Sequence, residues 1–143
     1  MSPLPERLGT ALAGLPHRVV EQSDSLPTVA VEREHLHRAL TALCDTAGFA
    51  SSTFITAIDH DTDAASGRPR FQVVHQLLSI EHGDRVRLLT SVPASDPRVA
   101  SCIDLWPGAA YAERECYDMF GITFEGHAGL KRLLMPEGYG HHP

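Results

Sequence analysis

Two hydrophobic periods alternate along this chain, and the switches between them lay out its elements. Beginning at Glu32, the residues Leu36, Ala39, Leu40, Leu43 and Ala47 fall at i, i+3, i+4, i+7 and i+11. That spacing predicts one stripe of an amphipathic helix, with Gly48 as its C-terminal stop. Glu34 precedes Arg38 by four residues, the order that favours a surface ion pair. A shorter first helix is expected over Glu6 to Leu15, carried by Leu8, Ala11, Leu12 and Leu15 and weakened by Gly9 and Gly14. A third helix follows Trp106-Pro107-Gly108, where Ala109, Ala112, Cys116, Met119 and Phe120 recur with helical period and Gly121 supplies the cap.

Between these helices the period drops to two. Phe71 to Ile80 alternates Phe71, Val73, His75 and Leu77 against Gln72, Val74, Gln76 and Leu78, and Arg85 to Val92 alternates in the same way. The link Glu81-His82-Gly83-Asp84 is short enough to join them as an antiparallel hairpin. Thr53 to His60 is rich in β-branched residues and makes a third strand, while residues 61 to 69 read as a polar loop. Arg18 to Gln22 and Pro27 to Val31 form a small hairpin around Ser23-Asp24-Ser25. Pro97 to Leu105 is read as a short helical turn. The order helix, two strands, helix, three strands, helix predicts an α+β domain with helices on a mixed sheet and an irregular C-terminal tail.

Composition narrows the function classes. A length of 143 residues with 43% hydrophobic and 21% charged positions suits one domain spanning residues 1–143. The net charge is −6 and Lys131 is the only lysine, so there is no basic stripe of the kind that neutralises phosphates, and nucleic acid is set aside. Cys44, Cys102 and Cys116 lie far apart in an odd set, which argues against a disulfide framework or a four-thiolate site. Neither a secretory signal nor a membrane-spanning run is expected.

The densest polar cluster is Glu113-Arg114-Glu115-Cys116-Tyr117-Asp118. On a helix Arg114 and Asp118 lie one turn apart and are expected to pair, while Glu113 and Glu115 diverge by roughly 200° and do not face one substrate. Paired-carboxylate catalysis therefore gains little support. His35 and His37 are two positions apart and cannot chelate from one helix face, and the histidines at 127, 141 and 142 lack a fourth ligand at a recognised spacing. The acidic flanks of Cys116 raise a thiol pKa rather than activate it, and its place on the apolar stripe says core.

The run from Glu113 to His127, reading ERECYDMFGITFEGH, followed by Lys131-Arg132-Leu133-Leu134, resembles the signature of the C-type subunits of respiratory complex I (NADH-quinone oxidoreductase), the 30 kDa subunit family. That signature reads E-R-E, two variable positions, D, two apolar residues, G, then F-x-G-H and a basic-apolar run. FQVVHQLLSIE from Phe71 and VASCIDLWPGA from Val99 extend the likeness upstream; Ala128 departs from the usual proline.

The resemblance implies a peripheral subunit of a proton-translocating NADH:quinone oxidoreductase, at the cytoplasmic face of a bacterial membrane and attached there only through the complex. It implies hetero-oligomeric partners of the B, D and I types. It further implies no cofactor in this chain, with FMN, iron-sulfur clusters and quinone in the partner subunits. Arg114 and Asp118 are expected to fix the signature helix, with Glu113, Glu115, His127, Lys131 and Arg132 anchoring the next loop and a partner. Gly121 and Gly126 punctuate the exit, and residues 122–143 are expected to extend as a partner-binding tail. The related module of membrane-bound [NiFe] hydrogenases of the formate hydrogenlyase kind is the alternative.

Overall fold

The computed structural model describes residues 4–24, 26–60 and 69–127. In chain order its elements are α1 (Leu4–Ala11), β1 (Arg18–Val20), β2 (Thr28–Ala30), a 3₁₀ turn (Arg33–His35), α2 (Leu36–Asp45), β3 (Ser51–Asp59), β4 (Phe71–Ser79), β5 (Asp84–Val92), β6 (Arg98–Ala100), a second 3₁₀ turn (Pro107–Ala109), α3 (Ala110–Phe120) and β7 (Thr123–Glu125). This is an α+β architecture, as the pattern predicts.

The larger sheet runs β1-β2-β5-β4-β3. β5 pairs antiparallel with β4, and β4 with β3, whereas β2 lies parallel to β5, so the sheet is mixed. One face carries Ile55, Ala57, Phe71, Val73, Leu77, Val86, Leu88 and Val92 into the core, where they meet the α2 stripe of Leu36, Ala39, Leu40 and Leu43, each 0% exposed. Hydrophobic burial of this stripe, rather than helix propensity, is what holds a ten-residue helix. On the opposite face Val74 stands directly across from Leu89 and both are buried, while Phe54 and Ile58 remain exposed.

His75 sits on the core face between Ile55 and Leu88, fully buried, with neither ring nitrogen hydrogen-bonded within the protein. Burial pushes its pKa down to about 4, so the ring is neutral at pH 7. The other polar feature of the body is Arg7 on α1. Its guanidinium donates to both Asp84 carboxylate oxygens at 2.9 and 3.0 Å and to the Ala47 carbonyl at 3.2 and 3.3 Å. The hydrogen bonds from Arg7 hold the Asp84 carboxyl below the usual carboxylate range. α1, the end of α2 and the start of β5 are thereby clamped together.

Four expectations need correction. The segment after Pro97 is not a helical turn throughout: it opens as β6, which pairs parallel with β7 in a second, two-stranded sheet. Strands of three residues are too short to display a period, and the pairing spans 25 positions from Arg98 to Thr123. By the same fact the tail expected from residue 122 begins as structure, with Ile122 and Phe124 in the core. The remainder of that tail, with Lys131 and Arg132, and most of the polar loop at 61–69 lie outside the described residues. The first helix starts at Leu4 and ends at Ala11 rather than spanning Glu6 to Leu15. Glu34 forms no ion pair with Arg38; the neighbouring Arg33 reaches Asp96 at 2.9 Å instead.

Candidate functional site

The signature helix is entered through a tight, anchored turn. Trp106 is extended, Pro107 occupies the first position of the 3₁₀ turn where a missing N–H costs nothing, and the Trp106 indole donates to the Phe49 carbonyl at 3.2 Å. α3 then turns Glu113 and Cys116 inward, both at most 2% exposed. It ends at Gly121, whose left-handed φ of 76° lets its N–H return to the Tyr117 carbonyl at 2.8 Å. The chain reverses into β7, where the Thr123 N–H donates to the Pro97 carbonyl and the Ser101 N–H to the Glu125 carbonyl, each at 2.8 Å.

Glu113 is the organising group. Its carboxylate accepts from the Ser101 hydroxyl at 2.6 Å and from the Cys102 N–H at 2.9 Å, with the Cys102 thiol at 3.4 Å. The Ser101 hydroxyl in turn accepts from the Ile103 N–H at 3.2 Å. A fully buried carboxylate is tolerable only when its lone pairs are satisfied, and these charge-assisted bonds supply that while capturing the turn after β6. Glu113 therefore ties α3 to its own domain and does not reach for a partner, contrary to what the signature implied. Its partners lie eleven and twelve residues upstream, across an irregular turn, where helical spacing carries no information.

The pairing expected between Arg114 and Asp118 is not formed. Asp118 is fully buried, and the half-buried Arg114 has its Nε sealed from solvent without an acceptor. Glu115 is half-buried. His127 does anchor the exit: its Nε2 hydrogen-bonds the Ala110 carbonyl at 3.0 Å, and its backbone N–H reaches the Phe124 carbonyl at 3.2 Å. Gly126, at φ 97°, makes the turn just before it. The sequence thus locates the cluster but not the direction in which each charge points.

Nucleophilic chemistry finds no foothold here. Burial first, and the Glu113 charge second, raise the Cys102 thiol far above neutrality, and burial with Glu113 and Glu115 pushes Cys116 up to about 12. Among the described residues no group of three or more His, Cys, Asp or Glu is arranged to hold a metal ion. The site's chemistry is that of a rigid, charge-bearing frame.

Residues 29–143 match the family described as respiratory-chain NADH dehydrogenase, 30 Kd subunit. The C-type subunit of the NADH-quinone oxidoreductase of Citrifermentans bemidjiense is 38% identical over 116 residues, covering 81% of this chain and 70% of that protein. Its counterpart in Roseiflexus castenholzii is 49% identical over 81 residues, covering 57% of this chain and 47%, about half, of its relative. Among solved structures, a trypsin-resistant fragment of Nqo5 superposes with a TM-score of 0.70 at 32% identity, covering 87% of this chain and 96% of the fragment. A chain from the membrane-bound sulfane sulfur reductase, an archaeal respiratory membrane complex, superposes with a TM-score of 0.77 at 20% identity, covering 94% and 78%, which shows a shared fold.

Proposed function

Since the chain belongs to the respiratory-chain NADH dehydrogenase 30 kDa subunit family, we propose that it is a non-redox structural subunit in the peripheral arm of a proton-translocating NADH:quinone oxidoreductase. In this reading electrons pass from NADH through FMN and iron-sulfur clusters to quinone, all held by other subunits of the complex, and this chain's partners include subunits of the B, D and I types. This chain supplies a rigid surface that keeps those partners in register, and it is held at the cytoplasmic face of the membrane through them. No helix among the described residues is long and apolar enough to cross a membrane.

The observation that carries the proposal is the inward-facing Glu113 network within the family's signature segment. The charge that could have served as an acid or base is committed to holding backbone, and cofactor positioning by neighbouring subunits needs such locked supports. The assembly subunit of a membrane-bound [NiFe] hydrogenase or formate hydrogenlyase-type complex is a second reading. The fold shared with a chain of a membrane-bound sulfane sulfur reductase is consistent with the module serving more than one kind of respiratory membrane complex. Affinity purification of the chain from detergent-solubilised membranes, with mass spectrometry of co-eluting proteins, separates the two. Co-elution of a flavin-bearing NADH dehydrogenase chain is expected; a nickel-ligating large subunit in its place would decide for the second reading.

A further inference from the structure

Five buried side-chain atoms among the described residues meet no hydrogen-bonding partner within the protein: Nε of Arg114, Nδ1 of His82, both ring nitrogens of His75 and Oγ1 of Thr90. The first two are isolated atoms on half-buried residues. The other three belong to two residues that are each 0% exposed and share one face of the large sheet. Buried donors and acceptors almost always have partners, because an unmade bond forfeits hydration with nothing in return.

The strand register places these two side chains together. His75 lies opposite Leu88 and Val73 opposite Thr90, so His75 and Thr90 are diagonal neighbours across β4 and β5. Around them the same face carries Ile55, Val73, Leu77, Leu88 and Val92, all buried hydrocarbon. The strand backbone spends its own groups on the ladder, so on this face each residue is the other's nearest polar side chain. Diagonal neighbours have backbones about 7 to 8 Å apart, and the ring and hydroxyl make no direct bond. One water, accepting from one group and donating to the other, spans about 5.5 Å and suits such a gap. A metal ion does not, since one imidazole and one alcohol offer a single good ligand and no charge. A neutral ring has one N–H to give and a hydroxyl both gives and accepts, which is the donor and acceptor set that holds a water.

We propose that His75 and Thr90 together bind one internal water, held between a ring nitrogen and Oγ1 in the middle of the sheet's core face. Buried waters take such positions, serving polar groups that the chain does not serve itself, whereas wholly apolar cavities stay dry. Neither residue belongs to the signature segment, so the site stands independently of the assembly reading.

The direct test is a crystal structure of the full chain at a resolution that shows ordered water. One water within about 3.2 Å of both Thr90 Oγ1 and a His75 ring nitrogen is expected. A direct bond between the two side chains, a separate water on each, or a dry site would overturn the proposal. A mutant cycle tests it in solution. Thr90→Val keeps the side chain's shape and removes its oxygen. In the wild type it strands the ring N–H and should lower the equilibrium constant for folding, read from urea unfolding, by about fivefold. In a His75→Leu background the water has already lost its second anchor, and Thr90→Val should leave that constant unchanged or raise it. Equal effects of Thr90→Val in the two backgrounds would show that the groups act separately, and the proposal would fail.

Discussion

Across β4 and β5 the facing residues on the core side are chiefly hydrocarbons: Leu77 against Val86, Phe71 against Val92, Leu88 beside the neutral ring of His75. Between Arg98 and His127 the core is also apolar, yet its shape is set by directed bonds: Glu113 to Ser101 and Cys102, Trp106 to Phe49, His127 to Ala110. Burial of hydrocarbon is non-directional and leaves many arrangements nearly equal in energy. Buried polar groups lose heavily in every arrangement but the one that satisfies them. The large sheet supplies stability, and the signature segment supplies a unique geometry for three very short elements that could not hold one by packing alone.

The sharpest way to break this contrast is Glu113→Ala. It strands the Cys102 N–H and the Ser101 hydroxyl in the core and should cost about 4 kcal/mol in urea unfolding. Hydrogen exchange should quicken in residues 98–127 first, with β3 to β5 still protected. Leu88→Ala, by contrast, should cost about 3 kcal/mol and quicken exchange through the whole domain. If Glu113→Ala loosened both regions equally, the division between them would be wrong.

The second test is acid. His75 has its pKa lowered from 6.5 to about 4 on folding, so between these values the unfolded chain binds more protons and stability must rise with pH. The contribution is complete above pH 6.5 and falls by about 3 kcal/mol on acidification to pH 4. Asp84, lowered by its hydrogen bonds from Arg7, acts only below its ordinary value of 3.8. Urea midpoints measured from pH 7 to pH 4 should therefore slope in the wild type and flatten in His75→Leu. Parallel slopes in the two proteins would show that His75 is not the titrating group.

The smallest effect belongs to Gly121→Ala, which forces a Cβ into the left-handed region and should cost about 1 kcal/mol. It should lower the thermal midpoint modestly and loosen β7 alone.

The same contrast governs how much of the molecule is legible in its sequence. Leu36 to Leu43 and the alternations in β4 and β5 show their periods because each has one buried face, and Gly121 is recognisable as a cap from its place after an apolar stripe. β6 and β7 have three residues each and no period to display. The clamp from Arg7 to Asp84 joins residues 77 apart, which no local spacing reveals. In the signature, helical geometry correctly separates Glu113 from Glu115, but it offers Asp118 as the partner of Arg114, a pair the fold does not form. Motif recognition locates the segment; only the fold determines where each of its charges points.

The central claim is that the signature segment is a frame locked for docking. Hydrogen exchange of this chain within its assembly and after release tests it most directly. Slower exchange in the assembly, concentrated in α3 and its exit through His127, is predicted. Identical exchange in the two states, or protection gained only along β1 and β2, would contradict it.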